Sequence, residues 1–295
     1  MKIGEKIKKL RTAKLMTQSE LVGSEITRNM LSRIENGSAT PSLETICYIA
    51  ARLNVSPGFL LAEGADEQIY FKHNEIVGIK QAFASGDYRI CRDICLHAQS
   101  AEDDEVQMIL ADCDLAIAIE EFNNGNLRVA CEYLDEAVSA CENTIYRTDY
   151  VVAVAETYFR YMRRISATLS SNVLEEDTVN VYPALTDEFC RYTFAMEQWK
   201  EGDESGEDPI SVSTIGAADS PLTLHYEATV AMQNGAYAEA YDKLHAILLS
   251  ETPVSEPVLY FVFCDLEICC REIENFKGAY EYSIDKIELL QKLLT

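Results

Sequence analysis

The stretch "ITRNMLSRIENG", residues 26–37, decides the fold of the first part of the chain. Thr27 is of a type favoured at a helix N-cap. Met30, Leu31 and Ile34 recur at helical spacing, so we expect these three side chains to face a core. Arg28, Asn29, Ser32, Arg33 and Asn36 are polar or basic. The stretch therefore predicts a short amphipathic helix whose exposed face contacts a polar partner.

Sequence signals place two more helices before this one. Residues 2–14 carry apolar side chains at helical spacing and predict an amphipathic first helix. Thr17 is followed three residues later by Glu20, a capping box that opens a short second helix. Gly23 ends that second helix, and Gly37 closes the third because glycine is favoured just beyond a helix end.

Two further helices follow in "PSLETICYIAARLNVSPGFLL", residues 41–61. We expect a fourth helix from Leu43 to Leu53. Ser56 is typical of an N-cap, and Pro57 of the first helical position, so a fifth helix begins there. Five short helices in about 62 residues, the second and third joined by a tight turn, predict a fold that places one helix in the major groove of DNA.

The segments "TQSEL", "LSRIENG" and "PSLETICYIAARLNVSPGFLL" resemble the XRE (Cro/C1-type) repressor-like helix-turn-helix family. The resemblance covers residues 1–63 and implies a five-helix DNA-binding domain. It also implies that a set of side chains on the second and third helices faces DNA. These are Gln18, Thr27, Arg28, Asn29, Ser32, Arg33 and Asn36.

The chemistry of these side chains suits DNA recognition. Arg28 can bond guanine through two parallel hydrogen bonds, and Asn29 can do the same with adenine. We expect Gln18 and Thr27 to hold phosphates, with help from backbone N–H groups at the C-terminal end of the third helix. The alternative for Arg28 and Asn29 is an ordinary solvated helix face. We expect Glu35 to stay inside the domain, bonded to buried backbone or to an arginine.

Charge separates the first 62 residues from the rest of the chain. They contain nine Lys and Arg against five acids, whereas the remaining residues contain 16 bases and 44 acids, within a total net charge of −24. A basic head on an acidic body indicates that the head alone meets a polyanion.

Several protein classes are disfavoured by the sequence. No apolar signal segment or membrane-spanning stretch occurs, so we expect a cytoplasmic protein without membrane contact. The ten cysteines lie in helix-like segments without a CxxC pair, and we interpret them as reduced, mostly buried thiols. No nucleophile–base pair, phosphate loop or metal motif is present, so we expect neither an enzyme nor a cofactor or metal site.

The body repeats a helical-hairpin pattern. We take residues 64–70 as a linker and residues 71–295 as a repeat domain. The segments "SGDYRICRDICLHA", "NGNLRVACEYLDEA", "NGAYAEAYDKLHAI" and "ENFKGAYEYSIDKI" align through an aromatic or leucine anchor, and the last lacks the preceding glycine. The anchors are Tyr88, Leu127, Tyr237 and Phe276. The pattern resembles tetratricopeptide repeats and implies an α-solenoid, while the acidic stretch 201–214 predicts a loop.

A solenoid of this kind has a concave surface that suits a peptide. Side-chain amides there can pair with a peptide backbone, and arginines can hold a carboxylate. The alternatives are solvated positions for the amides and intramolecular salt bridges for the arginines. The candidate groove residues are His73, Lys80, Asp112, Asn123, Arg160, Arg164, Thr229, Gln233 and Arg271.

The combination of head and body resembles the RRNPP family of peptide-pheromone receptors, of the Rgg and PlcR kind. The resemblance implies a quorum-sensing transcription regulator whose repeat domain forms a homodimer and binds a short peptide, and which binds a palindromic operator in double-stranded DNA. A constitutive or protein-regulated repressor without a peptide ligand is the main alternative. An enzyme on a helical scaffold and a pure scaffold with a vestigial head remain further alternatives.

Overall fold

The computed structural model describes residues 1–174, 187–205 and 214–295, with the backbone alone for residue 65 and residues 199–205. Every regular element in these ranges is helical, which confirms the predicted all-α fold class. The chain divides into two compact units. The first comprises Met1–Gln81 with His97–Asp103, and the second comprises Ala82–Leu96 with Asp104–Thr295. No described helix has the length and apolar character needed to cross a membrane.

Five short helices build the amino-terminal part of the first unit, at the predicted places. They are α1 (Ile3–Ala13), α2 (Gln18–Val22), α3 (Arg28–Glu35), α4 (Leu43–Leu53) and α5 (Pro57–Leu61). The predicted caps are confirmed. Thr17 Oγ1 accepts from the Glu20 N–H at 3.2 Å, Thr27 Oγ1 from the Met30 N–H at 3.1 Å, and Ser56 Oγ from the Phe59 N–H at 3.0 Å.

The core of these helices contains Ile7, Leu31 and Ile34, which are at most 1% exposed. Burial of one such side chain stabilises the fold by about 1.5–3 kcal/mol. The prediction that Met30 also faces the core is wrong, since it is 36% exposed. The buried face of α3 consists of Leu31, Ile34 and Glu35, so Glu35 is buried and Met30 is not.

Helix α6 (Ala65–Ala84) begins inside the stretch 64–70 that the sequence predicts to be a linker. The reason is a set of tertiary contacts with the preceding helices. The buried Lys6 ammonium donates to the carbonyl oxygens of Phe59, at 3.0 Å, and Ala62, and it lies 3.6 Å from a Glu67 carboxylate oxygen. The Tyr70 ring packs edge-on against Phe59, with centroids 6.1 Å apart. These contacts stabilise a helix in the stretch 64–70, although the local sequence there shows no helical periodicity.

The following helices build the second unit within the described ranges. They are α7 (Tyr88–His97), α8 (Asp104–Asn123), α9 (Leu127–Cys141), α10 (Asp149–Arg163), α11 (Glu188–Ser205), α12 (Pro221–Gln233), α13 (Tyr237–Leu248), α14 (Glu256–Glu272) and α15 (Phe276–Leu293). Helix α11 includes residues 201–205, so the predicted acidic loop is wrong for that part. Residues 206–213 of the same prediction lie outside the described ranges. All ten cysteines are free, and six are buried.

Each of the four repeat anchors is the first residue of a helix, and a left-handed residue stands two positions before it. Gly86, Gly125 and Gly235 have φ of +78°, +81° and +71°. Glu274 holds the same position in the fourth hairpin with φ of +61°. The turn geometry is therefore common to all four hairpins, although one of them lacks the glycine that adopts it without strain.

A cluster of aromatic rings joins the helices of the second unit. Phe122 of α8 lies 4.8 Å from Tyr158 of α10 and 5.0 Å from Phe189 of α11, measured between ring centroids. Tyr161 of α10 lies 5.4 Å from Phe261 of α14. We call these five residues the ring cluster. It fixes α8, α10, α11 and α14 against one another through edge-to-face contacts, which add about 0.5–1.5 kcal/mol per pair beyond burial.

Candidate functional sites

The outer face of α3 carries most of the predicted DNA-binding side chains. Arg28, Asn29, Arg33 and Asn36 are exposed, and Ser32 is half-buried. They lie on the side of the helix away from the buried Leu31 and Ile34. The face is therefore open to a duplex, with two guanidinium groups and two amides along about two and a half turns of backbone.

Glu35 forms the structural support beneath this face. Its side chain is 2% exposed, and its carboxylate accepts from Arg11 Nε at 2.7 Å. The same carboxylate accepts from Gln18 Nε2 at 2.8 Å. The hydrogen bond from Arg11 to Glu35 and their opposite charges raise the pKa of the guanidinium. The prediction that Glu35 pairs with an arginine inside the domain is confirmed, and α1, α2 and α3 are tied together at one carboxylate.

Arg11 itself was missed by sequence reasoning. Glu35 indicated that a cation was needed, but nothing local distinguished Arg11, which stands 24 residues away, from the other bases of the first helix. Arg11 also donates to the carbonyl oxygen of Met16 at 2.7 Å. It therefore connects the end of α1 to the start of α2 as well as to α3.

Gln18 lies between Glu35 and the exposed face. An amide donates from nitrogen and accepts at oxygen, so the bond from Nε2 to Glu35 turns Oε1 away from that carboxylate. Oε1 faces Arg28, whose Nε donates to it at 3.5 Å. The structure thus places Gln18 where it can orient the Arg28 side chain, in addition to the phosphate contact predicted from sequence.

The backbone donors at the C-terminal end of α3 are occupied. The Asn36 N–H bonds to the Ser32 carbonyl at 3.1 Å, and the Gly37 N–H to that of Ile34 at 3.0 Å. The prediction that these groups hold phosphates is therefore wrong, because they complete the helix end. The free donors of an α-helix lie in its first turn, which here is the turn that carries Arg28 and Asn29.

The candidate groove residues divide between the two units. His73 and Lys80 are exposed on α6, in the first unit, and the others lie in the second. Four of the latter bond within the protein, and for Arg160 and Arg271 these bonds are the intramolecular salt bridges that the alternative interpretation proposed. Arg160 pairs with Glu197 at 3.6 Å, Arg271 pairs with Glu267 at 3.3 Å, Asp112 accepts from the Tyr150 hydroxyl, and Thr229 donates to the His225 carbonyl at 3.0 Å.

Arg164 differs from the other candidate arginines. Its guanidinium stacks over the rings of Phe261, at 4.4 Å from the centroid, and Tyr161, at 5.1 Å. No carboxylate of the described ranges is within ion-pair distance of it. A stacked guanidinium keeps its in-plane N–H donors available, so Arg164 can accept an anionic group from solution.

The two candidate amides, Asn123 and Gln233, are exposed at the last residues of α8 and α12. Asn123 lines a cavity of about 360 Å³, together with Phe189, Ser220 and Ser255. The cavity lies where the end of α8 meets the beginnings of α11, α12 and α14. It is large enough for one or two amino-acid side chains.

A network of hydrogen-bonded polar side chains adjoins the ring cluster, since the Tyr192 ring lies 6.4 Å from that of Tyr161. His225, 1% exposed, bonds through Nδ1 to the Tyr192 hydroxyl at 2.8 Å and through Nε2 to Asp265 at 3.1 Å. Burial raises the pKa of the Tyr192 hydroxyl. The network links α11, α12 and α14. No local signal in the sequence identifies His225 or its partners, which stand 33 and 40 residues away.

Comparison with known proteins identifies the class of the head. Residues 7–60 match the helix-turn-helix family HTH_3. The five helices described above thus form a helix-turn-helix domain. No curated protein matches the chain.

Three solved structures align along most of the chain at low identity. One is Bacillus thuringiensis PlcR in complex with the peptide PapR7 and DNA, at 14% identity over 99% of this chain and 96% of that one, with a TM-score of 0.23. Another is the apo competence regulator ComR from Streptococcus vestibularis, at 18% identity over 97% of both chains, with a TM-score of 0.26. The third is a mutant of PrgX, at 13% identity over 88% of this chain and 99% of that one, with a TM-score of 0.21. These TM-scores are too low to transfer a ligand or a partner.

Proposed function

We propose that the chain is a cytoplasmic transcription regulator that binds a specific DNA sequence through residues 1–63. The observation that carries the proposal is the exposed face of α3, with Arg28, Asn29 and Arg33 on one side of a helix that belongs to a matched helix-turn-helix domain. Arg28 and Asn29 read base edges, while their own backbone N–H groups, which precede the capped N–H of Met30, hold a phosphate.

Two heads act on one operator. A helix-turn-helix dimer grips a palindrome whose half-sites are about 34 Å apart, one turn of DNA. The acidic body, with 44 acids against 16 bases, is repelled by phosphates, so DNA contact is made through the heads. In this proposal, residues 71–295 form the dimer interface.

The same repeat domain binds a short peptide in our proposal. Arg164 supports it, because its guanidinium is exposed and no carboxylate of the described residues lies within ion-pair distance, which leaves it able to bind a peptide carboxylate. Asn123 supports it through its position at the cavity, where an amide can pair with peptide backbone. A peptide that prefers one arrangement of the repeats shifts the population toward it and so changes operator affinity.

The alternative is a repressor that is constitutive or controlled by a protein partner. The ring cluster favours it, since the rings of α8, α10, α11 and α14 fill the space between these helices with contacts of their own. Under this alternative Arg164 is a surface residue without a ligand.

Selection of bound sequences from a random duplex library separates these functions. The full-length protein is tested at fixed salt, with and without an extract rich in short peptides. Enrichment of a palindrome whose affinity changes with the extract supports the peptide sensor. Enrichment that is unaffected by the extract supports the alternative, and no enrichment contradicts DNA binding itself.

A further inference from the structure

Helix α2 is short and ends at a glycine, so the carbonyl groups at its C-terminal end need partners from elsewhere. The helix spans Gln18–Val22, and Gly23 follows it with a left-handed φ of +53°. The last carbonyl groups of an α-helix have no partner within the helix. Two of those in α2, the carbonyls of Glu20 and Val22, accept hydrogen bonds from side chains of α4. The end of α2 is therefore attached to α4.

The two donors are Tyr48 and Arg52, which stand one turn apart on α4. The Tyr48 hydroxyl donates to the Val22 carbonyl oxygen at 2.8 Å, and the Arg52 guanidinium donates to the carbonyl oxygen of Glu20. The guanidinium carbon of Arg52 also lies 5.8 Å from the centroid of the Tyr48 ring. We call Tyr48 and Arg52 the α4 clasp.

Gly23 allows the α4 clasp to approach the end of α2 this closely. A Cβ atom at Gly23 would lie 2.3 Å from the Tyr48 hydroxyl oxygen and 3.3 Å from Arg52 Nη1. Glycine also adopts a left-handed φ without the strain that a side chain causes. The glycine and the α4 clasp are thus two parts of one arrangement.

The other end of α2 is attached to α3. Gln18, the first residue of α2, donates to Glu35 and accepts from Arg28. Only residues 23–26 separate α2 from Thr27, the N-cap of α3. Because the α4 clasp holds the residue before this turn, it restricts the tilt of α2 relative to α3. In the proposed complex the start of α2 meets phosphates while α3 meets bases, so both contacts form together only at one tilt.

We propose that Tyr48 and Arg52 are positioning residues for DNA reading, which act by fixing the angle between α2 and α3 and do not contact DNA themselves. The inference rests on the DNA-binding function proposed above. Loss of either side chain lets α2 tilt, so the phosphate contacts and the base contacts no longer fit the duplex at the same time. Binding to unrelated DNA depends on the positive charge of the head and not on this fit.

Tyr48→Phe in the full-length protein tests the hydroxyl group. We expect affinity for the selected operator to fall about three- to tenfold, the equivalent of one hydrogen bond, with affinity for an unrelated duplex unchanged. Tyr70→Phe is the matched control, because Tyr70 lies in the same compact unit and packs on Phe59, and the ratio of the two affinities should stay as in the wild type.

Binding is measured well below the unfolding midpoint of each variant, so that reduced stability alone does not lower the ratio of operator affinity to affinity for unrelated DNA. A Tyr48→Phe protein that keeps the wild-type ratio would overturn the proposal. A wild-type protein that selects no sequence would contradict the proposed function, and the role of the α4 clasp with it. A selected operator whose preference survives Tyr48→Phe contradicts the α4 clasp alone.

Arg52→Gln separates positioning from a direct contact with DNA. We expect operator affinity to fall while the dependence of log affinity on log salt concentration keeps its wild-type slope. A residue that contacts a phosphate would instead reduce that slope by about one and weaken binding to all sequences alike. That second result would overturn the positioning role of Arg52.

Discussion

Gln18 donates from Nε2 to the buried Glu35 carboxylate at 2.8 Å, and this single bond decides which atom the amide offers to Arg28. The Gln18 side chain is therefore held in one orientation beside the exposed face of α3, with its Oε1 toward Arg28. The arrangement predicts that some substitutions outside the DNA surface alter base discrimination.

Gln18→Met should test this support. Methionine fills a similar volume but forms neither bond, so the Glu35 carboxylate loses a donor and Arg28 loses its acceptor. We expect the head to lose about 1–3 kcal/mol of stability, measured by urea unfolding, and to discriminate less at the base read by Arg28. Ser19→Ala, at the exposed neighbouring position, is the control. Unchanged base discrimination would mean that Gln18 does not orient Arg28 and that only the predicted phosphate contact remains for it.

Arg28→Ala should reduce affinity at one base position by about 1–3 kcal/mol, because a bidentate contact to guanine is lost. The measurement is a competition assay against operators substituted one base pair at a time. An equal loss on every sequence would mean that Arg28 contacts a phosphate instead of a base.

Arg164→Ala should abolish the response to a peptide extract while leaving basal operator affinity unchanged. The physical reason is that the stacked guanidinium is the proposed partner of the peptide carboxylate. Arg163→Ala, one residue earlier, is the matched control and should retain the response. A full response in Arg164→Ala would contradict this role.

Gly4→Ala should destabilise the head. A methyl group at Gly4 would overlap the carbonyl oxygen of Ile34, where α1 crosses the end of α3. We expect a loss of about 1–3 kcal/mol in chemical unfolding, typical of overpacking. Gly78→Ala is the opposite case, since no atom lies within 4 Å of an added Cβ and the position is helical. It should gain about 0.5–1 kcal/mol.

Glu274→Gly should stabilise the repeat domain. The left-handed φ of +61° at Glu274 costs a non-glycine residue about 1–2 kcal/mol, partly offset by the greater chain entropy of glycine when unfolded. We expect a net gain of roughly 0.5–1 kcal/mol in thermal unfolding. Glu272→Gly, in the last turn of α14, should instead lose about 1 kcal/mol. A loss in both variants would mean that the Glu274 side chain contributes more than its backbone costs.

Local features of the fold were predictable from the sequence, and non-local ones were not. Thr17 and Thr27 cap helices within three residues of themselves, so their roles can be derived from short stretches. The partners of Glu35 and His225 come from positions 17 to 40 residues away, and residue type alone does not select them. The prediction that Met30 is buried was wrong for a related reason, because the elements that pack against a helix decide which residues at the edge of its apolar face are buried.

The contacts of Lys6 have a practical consequence for isolating the head. A fragment that ends at residue 63 would remove Glu67 from the Lys6 ammonium and the Tyr70 ring from Phe59, leaving a buried cation without its carboxylate. Such a fragment should fold poorly even though it contains every DNA-facing side chain. Excision after Asp103 retains the whole first compact unit, with α6 and the segment whose Gln99 and Ser100 backbone N–H groups donate to Glu75, together with Ala82–Leu96 of the second unit.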